Sequence, residues 1–166
     1  MAETWSLPLV QHERFQFVDP SDEGIEHIAE NLRQADQDEA YATFGHRRYL
    51  DVLRLNVAAS SSCVMAVSAY GEPVALLGVA TLSVLYNTGS PWMVATDHAY
   101  QFRRSFIECG RTYTRAMLEQ YDTLENYVDA RNRKSVAWLQ RIGYQVEPPE
   151  PIGAFGMPFH LFRIER

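Results

Sequence analysis

The chain has 166 residues, of which 46% are hydrophobic, and its formal net charge is −6. These values predict one compact domain over residues 1–166, and they exclude a general nucleic-acid binder, because phosphate neutralisation requires clustered Lys and Arg. No stretch approaches the roughly 18 uninterrupted apolar residues that a membrane span needs, so we expect no membrane partner.

The first predicted elements are one strand and two helical segments. Alternating apolar residues predict a strand over 15–18, and Ser21 or Asp22 is a candidate N-cap for the helix that follows. Apolar periodicity predicts that this helix runs from about 22 to 37 and is extended or restarted over 39–44. A second helix is predicted near 47–56.

The hydrophobic period then changes to that of strands. Two apolar runs over 63–70 and 74–80, joined by a turn at 71–73, predict a β-hairpin. After a predicted loop at 87–91, the residues 92–96 indicate a central strand.

The second half alternates helices and strands. The pattern predicts a long helix over 101–121, a strand over 124–130, a helix that begins after Asn132 and ends at Gly143, and a last strand over 159–164. A loop is expected before the last strand, because three prolines fall there: Pro148, Pro149 and Pro151.

The resulting order is β-αα-βββ-α-β-α-β, which is an α/β (α+β) domain. A long helix between the strands at 92–96 and 124–130 is a crossover connection, so we predict that these two strands are parallel.

The segment that begins at Asn132 resembles the closing block of the GNAT family of N-acetyltransferases. Many members of that family read Asn-x-x-Ala-x-x-Phe-Tyr-x-x-x-Gly-Phe, and five positions of this chain fit the pattern: Asn132, Ser135, Trp138, Gly143 and Tyr144. The order of elements is also the GNAT order. The resemblance implies a GNAT-like mixed, twisted sheet flanked by helices on both faces.

The resemblance also implies that acetyl-CoA could be a cofactor. In the family, the backbone of the strand before the long helix binds the pantetheine arm, and that strand corresponds here to Val94, Ala95 and Thr96. The helix start that follows normally carries two small residues, whose N–H groups reach the pyrophosphate. In this chain Arg104 and Phe106 fill those two positions.

Four polar residues complete the cofactor site that the resemblance implies. Arg103 and Arg104 could contact the phosphates directly, although solvated arginines at a helix start are an equally good interpretation. Asn132 and Ser135 come from the matched closing block.

Acyl transfer would need a general base near the cleft between the two parallel strands. Asp97 and His98, just past the cofactor strand, are the candidates, with a helix-capping role for Asp97 and an ordinary loop histidine as the alternatives. The family's catalytic tyrosine, which protonates the leaving thiolate, falls at Leu139, and leucine has no proton to give.

Three further charged residues recur at every third position. Arg33, Asp36 and Glu39 could share a helix face that overlooks the cleft, and a solvated, salt-bridged face is the alternative. No histidine or cysteine stands at ligand spacing, since Cys63 and Cys109 lie far apart, so we expect no metal.

A second resemblance covers about residues 90–164. The runs Pro-Trp-Met-Val-Ala-Thr-Asp (91–97), Tyr-Asp-Thr-Leu-Glu-Asn-Tyr-Val (121–128) and Phe-His-Leu-Phe (159–162) are similar to a phage family that includes the internal virion protein A of short-tailed phages. This resemblance implies a phage or prophage source. It places the protein in the cytoplasm of an infected host, where it could associate with the virion.

Three functions follow as hypotheses. The first is acyl-CoA-dependent N-acyl transfer to a host protein or small amine, and the second is a catalytically silent role in virion assembly. The third is binding to and modulation of a host enzyme through the acidic first half, in which residues 1–100 hold 13 acidic and 5 basic side chains. All three are compatible with a host or phage protein as partner. The start Met-Ala-Glu-Thr-Trp-Ser lacks the pattern of a secretory signal.

Overall fold

The structure is a computed structural model that describes residues 5–166. The prediction of no secretory signal rests partly on residues 1–4, which lie outside the described residues.

Seven strands and five α-helices follow one another along the described chain, with a 3₁₀ helix at Asp97–Phe102 before α4. The strands are β1 (Phe15–Val18), β2 (Ser60–Ser68), β3 (Pro73–Ser83), β4 (Thr88–Ala95), β5 (Thr123–Asp129), β6 (Gln145–Ile152) and β7 (Met157–Glu165). The helices are α1 (Asp22–Glu30), α2 (Gln34–Phe44), α3 (Tyr49–Ala59), α4 (Arg103–Gln120) and α5 (Arg133–Ile142).

The strands form one mixed sheet in the order β1-β2-β3-β4-β5-β7-β6. All neighbours are antiparallel except β4 and β5, which are parallel as predicted. The helix α4 makes the crossover between these two strands, which is the connection that a parallel pair requires. The predicted α/β class with a mixed sheet is therefore confirmed.

Side-chain alternation along the central strands divides the core between the two faces of the sheet. On β2, Val64 and Ala66 pack into the cluster that contains the buried residues of α4 and α5. Their neighbour Met65 packs with Ile28 of α1 and Leu53 of α3 on the other face. This alternation places helices on both faces, because successive strand residues point to opposite sides.

The parallel strands β4 and β5 are joined only at their first residues. Thr88 pairs with Thr123 and Gly89 with Leu124, and beyond these pairs the strands diverge. One side chain spans the gap, since Asn126 Nδ2 donates to the Pro91 carbonyl at 3.0 Å. We call the gap between residues 91–95 of β4, together with the following Thr96, and residues 125–129 of β5 the wedge.

The helix predicted over about 22–37 is interrupted. It ends at Glu30, and Leu32 forms an isolated antiparallel bridge with Thr96, after which α2 begins at Gln34. The prediction of one continuous helix was wrong because Leu32 forms this extended bridge to the end of β4, a tertiary pairing that local periodicity does not register. Of the two N-cap candidates, Ser21 caps the helix, since its side chain accepts a hydrogen bond from the Gly24 amide, and Asp22 is the first helical residue.

Two predicted loops belong to strands. Thr88–Pro91 forms the beginning of β4, and the proline-rich segment forms β6. Together with the division of the first predicted helix into α1 and α2, this gives one helix and one strand more than predicted. β6 lies at the sheet edge, with a register shift between Val146 and Pro149. Prolines are tolerated at such positions because an edge strand leaves one row of N–H groups unbonded.

Helix α4 packs closely on α5 at Gly110. A Cβ added at Gly110 would lie 2.7 Å from Trp138 Cζ2 and 3.1 Å from Ile142 Cγ2. We expect Gly110→Val to lower the free energy of unfolding by about 2 kcal/mol through overpacking, as measured by urea denaturation. Arg115→Val, on the exposed side of the same helix, should change it by less than about 0.5 kcal/mol. Equal losses in the two variants would contradict the close packing.

Candidate functional site

A cavity of about 380 Å³ occupies the wedge and extends to both helical layers. Arg33, Asp36 and Glu39 line it from α2, and Asn132 and Ser135 line it from the start of α5. The three residues therefore share a face that overlooks the cleft, as one of the two interpretations predicted. Arg33 and Asp36 are buried rather than solvated.

Arg33 and Asp36 form a buried ion pair that also binds β4. The Arg33 guanidinium donates to both Asp36 carboxylate oxygens, at 2.9 and 2.7 Å. Asp36 Oδ2 in turn accepts a hydrogen bond from the Ala95 amide at 2.9 Å, and the Arg33 amide donates to the Ala95 carbonyl at 3.0 Å. Both backbone groups of Ala95 are thus bonded to the start of α2.

Glu39, one turn further along α2, binds the opposite strand. Its Oε2 accepts a hydrogen bond from the Asp129 amide at 3.0 Å, at the end of β5. Burial raises the pKa of Glu39 to about 7, and the Asp36 and Asp129 carboxylates add to the rise, while the bond from the Asp129 amide opposes it. Glu39 therefore combines a position on the cavity wall with a carboxyl group that titrates near neutral pH.

Asp129 is itself almost fully buried and is neutralised by Arg131. The Arg131 Nε donates to Asp129 Oδ1 at 2.9 Å, and the Arg131 amide donates to the same oxygen at 2.9 Å. Two of the three carboxylates at this end of the wedge, those of Asp36 and Asp129, thus have a guanidinium partner. Within residues 5–166, Glu39 makes no ion pair.

The three strand residues predicted to hold a pantetheine arm have their backbone groups directed to partners within the chain. The Thr96 amide donates to the Val74 carbonyl of β3 at 2.9 Å, and Val94, two residues earlier and opposite Leu76, points its groups to β3 by the same alternation. Ala95 points to the wedge but is bonded to Arg33 and Asp36. These residues do not fit acetyl-CoA in the way that the resemblance implies.

The phosphate end of the predicted site has large side chains at both small-residue positions. Phe106, at one of the two small-residue positions, is buried and stacks on Phe15 with 5.1 Å between ring centroids. Arg103 and Arg104 are exposed in the first turn of α4. Neither position therefore has the small residue that lets a phosphate approach the backbone closely in the family.

Tyr100 lies near the start of α2 and the start of α5. Lys134 Nζ lies 4.3 Å from the centroid of its ring, and the Arg33 Cζ lies 5.7 Å from it. Both cations are within the distance at which a ring face attracts a positive charge. The 3₁₀ segment that carries Tyr100 is thus tied to two helices.

Asn132 and Ser135 have a structural role at the start of α5. Asn132 Oδ1 caps the helix by accepting a hydrogen bond from the Ser135 amide at 3.3 Å. Both residues line the cavity, as does Leu139, which is 7% exposed. Leu139, which stands where the family has its catalytic tyrosine, therefore forms an apolar part of the cavity wall.

The two predicted general bases do not line the cavity. His98 Nδ1 pairs with Glu72 Oε2 at 2.8 Å, which turns it toward the β2–β3 turn. Asp97 begins the 3₁₀ helix and is exposed. The structure brings Arg33, Asp36, Glu39, Asn132 and Ser135 to one cavity but leaves Asp97 and His98 outside it.

Asp129 was not predicted as a site residue from the sequence. Its position indicates such a role, because Asp129 directly follows the apolar end of a strand that was predicted to border the cleft. A carboxylate at such a strand end is a candidate for the site.

Two further properties can be stated for residues 5–166. No cluster of three or more His, Cys, Asp and Glu side chains has a geometry suited to a metal ion. No helix in this range is long and apolar enough to cross a bilayer.

The sheet order, the α4 crossover and the diverging parallel pair define a GNAT-fold α/β protein. An acetyltransferase from Agrobacterium tumefaciens is similar over 98% of this chain and 96% of its own, with a TM-score of 0.68 and 16% identity. A GNAT-family acetyltransferase from Bacillus anthracis is similar over 95% of this chain and 98% of its own, with a TM-score of 0.67 and 13% identity. At these identities the likeness shows the fold alone.

Sequence comparison places the chain more narrowly. Residues 63–147, about half of the chain, match the family model described as "Bacteriophage T7, probable scaffold protein Gp13", and the chain belongs to this family. The probable scaffold protein gp13 of Escherichia phage T7 is 35% identical over 89 residues, which are 51% of this chain. The match spans 58% of the length of that relative.

Proposed function

We propose that this protein acts in phage virion assembly by binding other proteins, and that its GNAT fold serves as a scaffold without acetyl-CoA chemistry. The observation that carries the proposal is that the edge of β4 is already bonded within the chain at Ala95. Ala95 is the residue among Val94, Ala95 and Thr96 that faces the wedge, and its amide and carbonyl are bonded to Asp36 and Arg33. An extended ligand would have to break both bonds before it could pair with this residue.

Two further features support the proposal. Leu139 supplies no proton where a leaving thiolate would need one, and Phe106 is committed to the core at the phosphate end. The phage T7 relative is named a probable scaffold protein, and a scaffold protein is one class of assembly protein, so the name supports an assembly role for this chain. Association with the virion, within the cytoplasm of the infected host, follows from this role as part of the proposal.

Acyl transfer to an amine of a host protein or small molecule is the second candidate. Glu39 favours it, because a carboxyl group on the cavity wall with a pKa raised to about 7 has the property that a general base needs. Asp97 and His98 stay predictions for this candidate, and their position outside the cavity does not support them.

Complementation of a phage whose copy of the gene carries a stop codon separates the two candidates. We expect that particles made without the protein have an altered protein composition and low infectivity. The wild-type chain, Glu39→Gln and the double variant Asp97→Ala, His98→Ala should each restore infectivity to the same level, because none of these side chains would be needed for chemistry.

Loss of complementation in folded Glu39→Gln protein, together with loss of an acetyl group from a host or virion protein in mass spectra, would contradict the assembly proposal. Normal particle composition without the protein would contradict it as well.

A further inference from the structure

We propose that the first two turns of α2 are an autoinhibitory latch, which occupies the strand edges of the wedge from within the chain and whose release exposes a groove that can hold a pantetheine arm. The inference rests on the proposed function, in which the wild-type protein does not bind acetyl-CoA. It adds that the wedge itself is intact and that α2 is what excludes the pantetheine arm from it.

The latch joins two strands that are not bonded to each other at this point. Asp36 binds the Ala95 amide of β4 and Glu39 binds the Asp129 amide of β5, at 2.9 and 3.0 Å. The two carboxylates are three residues apart, so they lie on one face of the helix. One turn of α2 therefore supplies the hydrogen bonds that the diverging strands no longer give each other.

The two halves of the latch differ in strength. Asp36 is neutralised by Arg33 in a bidentate pair, which is the strongest arrangement of this kind. Glu39 makes no ion pair within residues 5–166, and burial raises the pKa of its carboxyl group. The contact with β4 is thus the stronger half, and removal of the Arg33–Asp36 pair is the change that should free the Ala95 amide, while the backbone bond from the Arg33 amide to the Ala95 carbonyl remains.

Different contacts hold the two ends of α2. Near the end of the helix, the Ala154 amide donates to the Ala42 carbonyl at 3.0 Å. The beginning is held by the latch, by the bond from the Arg33 amide to the Ala95 carbonyl, and by the contact of Arg33 with the Tyr100 ring. Loss of the Arg33 side chain therefore also removes one of the contacts of the 3₁₀ segment beside the wedge.

The test compares acetyl-CoA binding by the wild-type protein and the double variant Arg33→Met, Asp36→Ala. Both partners are replaced because removal of one alone would leave a buried unpaired charge. Calorimetric titration should show no saturable response of the wild type up to about 1 mM ligand and saturable binding by the variant with a dissociation constant of about 0.1 mM or lower, because the competing bond from Asp36 to the Ala95 amide is gone. The matched control is Gln34→Ala, Asp38→Ala, which removes an exposed hydrogen bond from the same helix and should behave as the wild type.

If the double variant folds poorly, amide hydrogen exchange in a second variant, Glu39→Ala, tests the latch instead. Glu39→Ala should then speed exchange of the Asp129 amide and improve acetyl-CoA binding, whereas the control should do neither. A folded variant with a fast-exchanging Ala95 or Asp129 amide and wild-type acetyl-CoA binding would overturn the latch and leave the proposed function standing. Saturable binding by the wild type would instead overturn the proposed function.

Discussion

Asp36→Ala is expected to lower the free energy of unfolding by about 3 to 5 kcal/mol, the loss that follows when one partner of a buried ion pair is removed. Arg33 and Asp36 are only 8% and 7% exposed, so the guanidinium left behind has little access to water. The Ala95 amide also loses its acceptor. Urea denaturation followed by circular dichroism measures the change.

Asp38→Ala is the matched control for this prediction. Asp38 stands two residues away on the same helix, is exposed, and accepts a hydrogen bond from Gln34 Nε2. Its replacement should cost less than about 0.5 kcal/mol. A loss of less than about 1 kcal/mol in Asp36→Ala would mean that the buried pair does not hold α2 against β4.

Glu39→Gln is expected to stabilise the protein at pH 8 and to have little effect at pH 5. The pKa of Glu39 rises from 4.5 to about 7 on folding, so the folded state binds more protons between these values and the stability of the wild type falls as pH rises through them. A pKa rise of this size lowers the free energy of unfolding of the wild type by about 3 kcal/mol above pH 7. Glutamine keeps an oxygen that can accept from the Asp129 amide, and it cannot ionise.

The difference in unfolding free energy between Glu39→Gln and the wild type should be measured from pH 5 to pH 8, so that the titration of all other groups cancels. It should grow in favour of the variant as pH rises and level off above about pH 7. Asp38→Asn should give a flat difference over the same range. A flat difference for Glu39→Gln would show that this carboxyl group titrates normally.

The scaffold was largely predictable because local signals and tertiary structure agree there. Asn132 caps α5, and Gly143 ends it with a φ of 115°, a conformation that favours glycine. The βαβ crossover fixes the parallel pair by topology alone. Such features depend on residues that are close in sequence, which is why the motif could be recognised.

The site was less predictable because its decisive contacts join residues far apart in the chain. Asp36 meets Ala95 across 59 residues, and Glu39 meets Asp129 across 90. The spacing of Arg33, Asp36 and Glu39 showed a shared face but could not distinguish a solvated face from a buried one. His98 followed the cofactor strand in sequence, yet its partner Glu72 comes from the neighbouring turn.

Titration of the isotopically labelled wild-type protein with acetyl-CoA, followed through the backbone amide signals, tests whether the wedge is closed to the cofactor. We expect that the signals of Val94, Ala95 and Thr96 do not shift in a saturable way up to about 1 mM ligand, because these amides are already bonded within the chain. Saturable shifts centred on these three amides would show that the wedge accepts the cofactor as it stands, and this result would contradict the proposed function.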